Sequence, residues 1–212
     1  MELLTQISKS LQQGDDEKVL ELTKKAIEEK ISPKEILDDG LIAGMNVIGE
    51  KFKNFEIFLP DVLLAAKAMY AGMNHLKPML IKEDIPSIGK IVIGTVQGDL
   101  HDIGKNLVGI MLKGVGIEVI DLGKDVSAEY FVDTAVKENA SIIGMSALLT
   151  TTTPVMKKVI DILREKGLNN SIKTIVGGAP LSAEFAAEIG ADTYASDAAD
   201  AIEQVTRLLK EK

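Results

Sequence analysis

The chain has no cysteine, no tryptophan and only two histidines among its 212 residues. The missing thiols exclude disulfides, thiolate metal sites and a cysteine nucleophile together, and they suit a reducing cytoplasm, the expected location. Basic residues are outnumbered: 24 Lys and Arg stand against 32 Asp and Glu, for a net charge of −8. With no Lys/Arg cluster to neutralise a row of phosphates, nucleic acid is not an expected partner. Long apolar runs are missing too. None approaches the roughly 18 residues that a membrane span needs, so no membrane association is expected. The opening MELLTQISKSLQQGDDEK has acids too early and apolar runs too short for a signal peptide.

What is present divides into two periodicities. Up to about residue 84 the pattern is helical. Leu4, Ile7 and Leu11 form one stripe that Gly14 breaks, and Leu20, Ile27 and Ile31 form a second. A third opens on Ser32, Pro33 and Glu35, a capping-box pattern with proline at the first helical position, and continues through Leu37, Leu41, Ile48 and Phe52. The fourth, LPDVLLAAKAMYAGMNHLKP, has proline near its start and its stop. This predicts an all-α four-helix bundle over residues 1–84, with His75 a cap charge near a helix C-terminus and Met69, Met73 and Met79 core filler. The polar stretch at 85–89 reads as a linker. From 90 to 212 the pattern changes to short apolar runs alternating with helical stretches: KIVIGTV, IEVIDLG, SIIGMSALL, KTIVGGA and ADTYAS. Such runs predict an α/β, flavodoxin-like (Rossmann-like) five-stranded parallel sheet, of order 2-1-3-4-5.

In that topology ligands bind beyond the carboxyl ends of strands one and three. Three unusual stretches converge there: QGDLHDIG after strand one, SALLTTTTP at the end of strand three, and GGAP after strand four. Taken singly, each has a bland explanation. His101 serves as a cap or turn residue, Gly98, Gly104 and the glycine pair as tight turns, and the threonine run as a helix cap. Together they suggest a site. Asp99 lies within reach of the His101 ring, as a carboxylate beside a metal-ligating histidine commonly does. One imidazole cannot hold a bare zinc or iron tightly, so any metal there would arrive with its other ligands, as in a macrocycle.

Asp99-x-His101-x-x-Gly104, followed by Ser146-x-Leu148 and Gly177-Gly178, resembles the signature of cobalamin-binding domains of the methionine synthase type. GEKFKNFEIFLPD (49–61) resembles the helical cap of methyl-carrying members, and the likeness extends over nearly the whole chain toward the free-standing corrinoid proteins of anaerobic methyltransferase systems. The resemblance implies cobalamin or a related corrinoid bound base-off and His-on, with His101 the lower axial ligand of cobalt. Asp99 would accept the other ring N–H, and the hydroxyl of Thr152, where the family often has serine, would complete the relay. Ser146 and Leu148 would line the slot for the displaced nucleotide tail, and Gly177 and Gly178 would let it pass close to main chain. Gly98, Asp102, Ile103, Gly104 and Thr150 complete the implied binding set, and Phe52 and Leu59 match the positions that shield the methyl group.

The function implied is a methyl carrier with little activity of its own. It would work between a substrate-specific methyltransferase and a corrinoid:tetrahydrofolate or corrinoid:thiol methyltransferase, with a reductive activase as a further partner and a hinge near residues 82–89. Two relatives of the same fold compete. An adenosylcobalamin mutase subunit would carry a substrate barrel over the upper face rather than a helical bundle. A cobalamin-dependent sensor would add a DNA-binding domain and often a tryptophan, both missing here. A flavodoxin-like nucleotide binder without cobalt is the fourth reading.

Overall fold

A computed structural model describes residues 2–82 and 88–211. They form two compact units, one all-helical and one α/β. The linker expected at 85–89 and the hinge expected near 82–89 centre on residues 83–87, which lie outside the described residues.

The helical unit runs through α1 (Glu2–Gln12), α2 (Asp16–Glu28), α3 (Pro33–Glu35), a π-helical segment (Ile36–Ile42), α4 (Ala43–Lys53) and α5 (Leu59–Lys82). Its ends are set locally. The Asp15 carboxylate accepts from Lys18 N, and the expected capping box is present, with Ser32 Oγ accepting from Glu35 N and the Glu35 carboxylate accepting from Ser32 N.

Three details differ from the sequence pattern. The buried face of α2 is Val19, Leu22, Thr23 and Ala26 rather than Leu20 and Ile27, which are only partly covered. In the next helix the i→i+5 bonding of the π segment shifts the faces relative to an α repeat. The core side chains there are Ile36, Leu41, Met45 and Ile48, while Leu37 is only half-buried. Finally, α5 does not stop at Pro78 but continues to Lys82. Proline removes one N–H bond to the carbonyl four residues earlier, and Asn74 there is exposed, so water replaces the partner. His75 is therefore an exposed residue within α5, outside its last turn, and not a C-terminal cap.

The α/β unit contains β1 (Lys90–Thr95), α6 (Ile103–Gly114), β2 (Glu118–Asp121), α7 (Ala128–Lys137), β3 (Ile142–Ser146), α8 (Pro154–Glu165), β4 (Lys173–Gly177), α9 (Ala183–Ile189), β5 (Thr193–Ala195) and α10 (Ala198–Lys210). The strands are all parallel, in the expected order β2-β1-β3-β4-β5. The inner strands β1, β3 and β4 are buried almost throughout, whereas the edge strand β2 is partly open. One layer of the core centres on Phe131 with Val92, Ile143, Met156 and Val176. Gly94 makes room for it, because a Cβ there would stand 2.7 Å from the Phe131 ring. Truncating a fully buried phenylalanine of this kind costs about 3–5 kcal/mol.

Candidate functional site

The three converging stretches leave the sheet from one register row. Thr95 of β1 is paired with Ser146 of β3, and Ser146 with Gly177 of β4. Beyond Thr95 the chain turns at once, with Asp99 N donating to Val96 O at 3.0 Å and Gly98 at φ +84°. That turn sends the Asp99 side chain inward to complete burial.

Asp99 is the centre of the site. Its Oδ1 accepts from His101 N at 3.0 Å and lies 2.7 Å from His101 Nδ1. Its Oδ2 accepts from Leu148 N at 2.7 Å, Leu149 N at 3.0 Å and Thr152 Oγ1 at 3.2 Å. The threonine hydroxyl has one proton to give, and the Leu149 carbonyl, at 2.8 Å, competes for it. Burial alone would push the Asp99 carboxyl up. The N–H groups of His101 and Leu148, the His101 ring and the Leu149 N–H outweigh it and hold the group well below the usual carboxylate range.

An ionised carboxylate only accepts, so His101 Nδ1 is the donor, and Nε2 is the ring nitrogen left for another partner. The His101 side chain is 52% exposed, and Nε2 has no hydrogen-bond partner among the described residues. The His101 main chain is held as well, where Thr95 Oγ1 donates to its carbonyl at 3.2 Å.

The remaining candidates fall around this core or away from it. The Asp102 carbonyl accepts from Asn106 N at 2.8 Å as α6 begins, and Ile103 and Gly104 lie exposed in its first turn. A Cβ on Gly104 would meet nothing within 4 Å, so packing within the protein does not demand glycine there. Gly178 is different: at φ +139°, a Cβ would fall 1.9 Å from the Ala147 carbonyl oxygen, so the close approach of two strand ends requires it. Thr150 is exposed and its carbonyl accepts from the Thr153 hydroxyl at 3.0 Å. Leu100, Ile103, Leu148 and Leu149 form an exposed apolar set on the segments that hold Asp99 and His101. Phe52, in the last turn of α4, and Leu59, at the start of α5, belong to the helical unit and are partly buried there.

Two contributors lie outside the sequence-level set. Leu149 acts through its main-chain N–H, which no side-chain pattern reveals. Thr95 is a fully buried hydroxyl at a strand end, where a polar residue closing an apolar run was the available signal.

The chain is similar to known proteins along nearly its whole length. A family described as a B12 binding domain matches residues 89–205, and a second with the same description matches residues 3–77. A corrinoid protein of Desulfitobacterium hafniense is 45% identical over 212 residues, covering 99% of this chain and 98% of its own. Dimethylamine corrinoid protein 1 of Methanosarcina acetivorans is 44% identical over 209 residues, covering 98% of each chain. Among solved structures, a methanol:cobalamin methyltransferase complex from Methanosarcina barkeri contains a chain 33% identical to this one. It matches with a TM-score of 0.87, covering 100% of this chain and 81% of that one. This chain belongs to the B12-binding domain family and is a corrinoid protein of the kind found in methyltransferase systems.

Proposed function

We propose that the chain is a methyl carrier that holds its corrinoid base-off and His-on, with His101 as the lower axial ligand of cobalt. The observation that carries this reading is the condition of one ring: Nδ1 is tied at 2.7 Å to a buried carboxylate while Nε2 is left without a partner among the described residues. A hydrogen bond at one imidazole nitrogen fixes the tautomer and raises the basicity of the other, as a ligand histidine requires. The donor set suits a macrocycle rather than a bare ion. Among the described residues no group of three or more His, Cys, Asp or Glu is placed to hold a metal ion, so a metal on His101 would draw its other ligands from the group that brings it. The exposed leucines and Ile103 offer apolar contact to a flat ring, and the open space at Gly104 accommodates close approach.

When bound, the corrinoid supplies the metal centre that accepts and donates the methyl group. The protein's part is orientation and proton handling. His101 would hold the group through Nε2; with that atom unengaged it would be open to a proton from solvent, and in either state the ring stays paired through Nδ1 with Asp99. The N–H groups of Leu148 and Leu149 keep Asp99 ionised in both states, and Thr152 turns its proton between Oδ2 and the Leu149 carbonyl. Ser146 and Leu148 would line the slot for the nucleotide tail, Gly177 and Gly178 would let it pass close to main chain, Gly98, Asp102, Ile103, Gly104 and Thr150 would complete the binding set, and Phe52 and Leu59 would shield the methyl group. The partners are a substrate-specific methyltransferase, a corrinoid:tetrahydrofolate or corrinoid:thiol methyltransferase, and a reductive activase. The names of the relatives span dimethylamine and methanol; the choice of methyl donor lies with the first of these partners.

The test is anaerobic reconstitution with cobalamin, followed by EPR of the cobalt(II) form with natural-abundance and ¹⁵N-histidine protein. The axial nitrogen splitting is expected to change with the label and to vanish in His101→Ala. An unlabelled pattern that persists in both proteins would overturn the axial assignment.

A further inference from the structure

The end of β2 and the loop from it to α7 carry none of the residues singled out from the sequence, yet they grip the chain on both sides of His101. Before it, the Asp125 carboxylate accepts from Gly98 N at 2.7 Å, and Asp125 N donates to the Asp99 carbonyl at 3.2 Å. Thr95 N donates to Gly123 O at 2.9 Å and Val126 N to Thr95 O at 3.0 Å, so the two loops run on together past the sheet edge. After it, Lys105 in the first turn of α6 reaches both oxygens of Asp121, at 2.5 and 2.6 Å, with its ammonium almost fully buried. Gly123 N returns to Asp121 Oδ1 at 2.9 Å, which ties the loop to the same carboxylate.

Asp125 adopts this arrangement at φ +59°, in the left-handed region that a non-glycine residue enters at a cost. Glycine would fit that backbone more easily. What glycine cannot supply is the acceptor for Gly98 N, at the residue immediately before Asp99.

We propose that Asp125 is a positioning residue for His101: its carboxylate holds the Gly98 amide and thereby the turn that aims Asp99 at the imidazole. The proposal rests on His101 being the cobalt ligand, and it adds a residue that reaches the metal only through three others, Gly98, Asp99 and His101.

Two substitutions separate the carboxylate from the backbone. Asp125→Gly keeps the left-handed conformation accessible and deletes the acceptor, while Asp125→Asn keeps both. In the protein without corrinoid, exchange of the Gly98 amide measured by NMR is expected to quicken at least about tenfold in the glycine variant and to stay near wild type in the asparagine variant. After reconstitution with cobalamin, the glycine variant is expected to bind about tenfold more weakly and to lose much of the histidine-derived splitting, whereas asparagine retains both. A folded glycine variant with wild-type Gly98 exchange and wild-type splitting would overturn the proposal, as would an asparagine variant as impaired as glycine. Should the glycine variant not fold, Asp125→Ala is judged by the same criteria. The two levels stay distinct: wild-type protein without histidine splitting sinks the axial reading and this inference together, while splitting that survives in Asp125→Gly sinks this inference alone.

Discussion

Around His101 the chain commits donors from a distant segment to one oxygen of the Asp99 carboxylate, with bonds to Oδ2 from Leu148, Leu149 and Thr152 spanning 49, 50 and 53 residues. The turn between α4 and α5 is built otherwise. There Phe55 and Phe58 stand 84% and 67% exposed, held by local bonds: Phe55 N to Phe52 O, Glu56 N to Lys51 O, and Phe58 N to the Asp61 carboxylate. The difference follows from what each side chain has to do. On the proposed reading of His101 as a ligand, its imidazole works in one orientation, which only anchors from several elements can define. An exposed apolar ring contributes area, which is nearly indifferent to orientation.

The largest effect expected from breaking this contrast comes from Asp99→Ala. It removes the acceptor from three main-chain N–H groups in a buried place, and the expected loss is about 3–5 kcal/mol in urea unfolding at pH 7. The charge itself is read through pH. Because the folded group titrates below its unfolded value of about 4, its contribution is complete above that pH and fades as pH falls toward the depressed folded value. The stability gap between wild type and Asp99→Asn is therefore expected to be widest near neutrality and to close below about pH 4. A gap that stays constant from pH 7 to pH 2 would show that hydrogen-bond geometry, and not charge, supplies the stability.

An intermediate effect is expected at Lys105, the other anchor of the histidine loop. Lys105→Met deletes a buried ammonium and leaves Asp121, whose side chain is 37% exposed and can hydrate. The expected loss is about 1–3 kcal/mol, less than for Asp99 because the abandoned partner is not sealed from water. Unchanged urea unfolding would mean that the pair only balances its own desolvation.

How far the molecule was legible in its sequence divides along the same line. The five strands, their order and the capping box at Ser32 are written in local patterns, and the structure follows them. Strand order places the loop of Asp99 and His101 beside the threonine run, and the family resemblance singled out Thr152 within that run. What escaped is what has no side-chain signature: the Leu149 N–H, the hold of Asp125 on Gly98, and the π segment that rotates the faces between Ile36 and Ile42. Pro78 misled for the opposite reason. A strong local stop signal was overridden where the lost bond faces water.

The smallest effect sharpens the comparison most, because the same substitution is made in both regions. Phe55 and Asp125 sit at φ +58° and +59°, each a non-glycine residue in the left-handed region. Phe55 follows the C-cap of α4, the position where glycine is usual, and the bond from Glu56 N to Lys51 O closes the turn whatever side chain Phe55 carries. Phe55→Gly relieves about 1–2 kcal/mol of backbone strain against about 0.5–1 kcal/mol of added freedom in the unfolded chain. With the ring exposed, almost no buried area is lost, so a net gain of about 0.5–1 kcal/mol is expected in urea unfolding, with the His101 splitting untouched. At Asp125 the same change relieves similar strain but releases Gly98, so the splitting is expected to weaken while stability moves little. A destabilised Phe55→Gly would mean that the ring packs in solution, and the α4–α5 turn would then be anchored beyond its own local bonds.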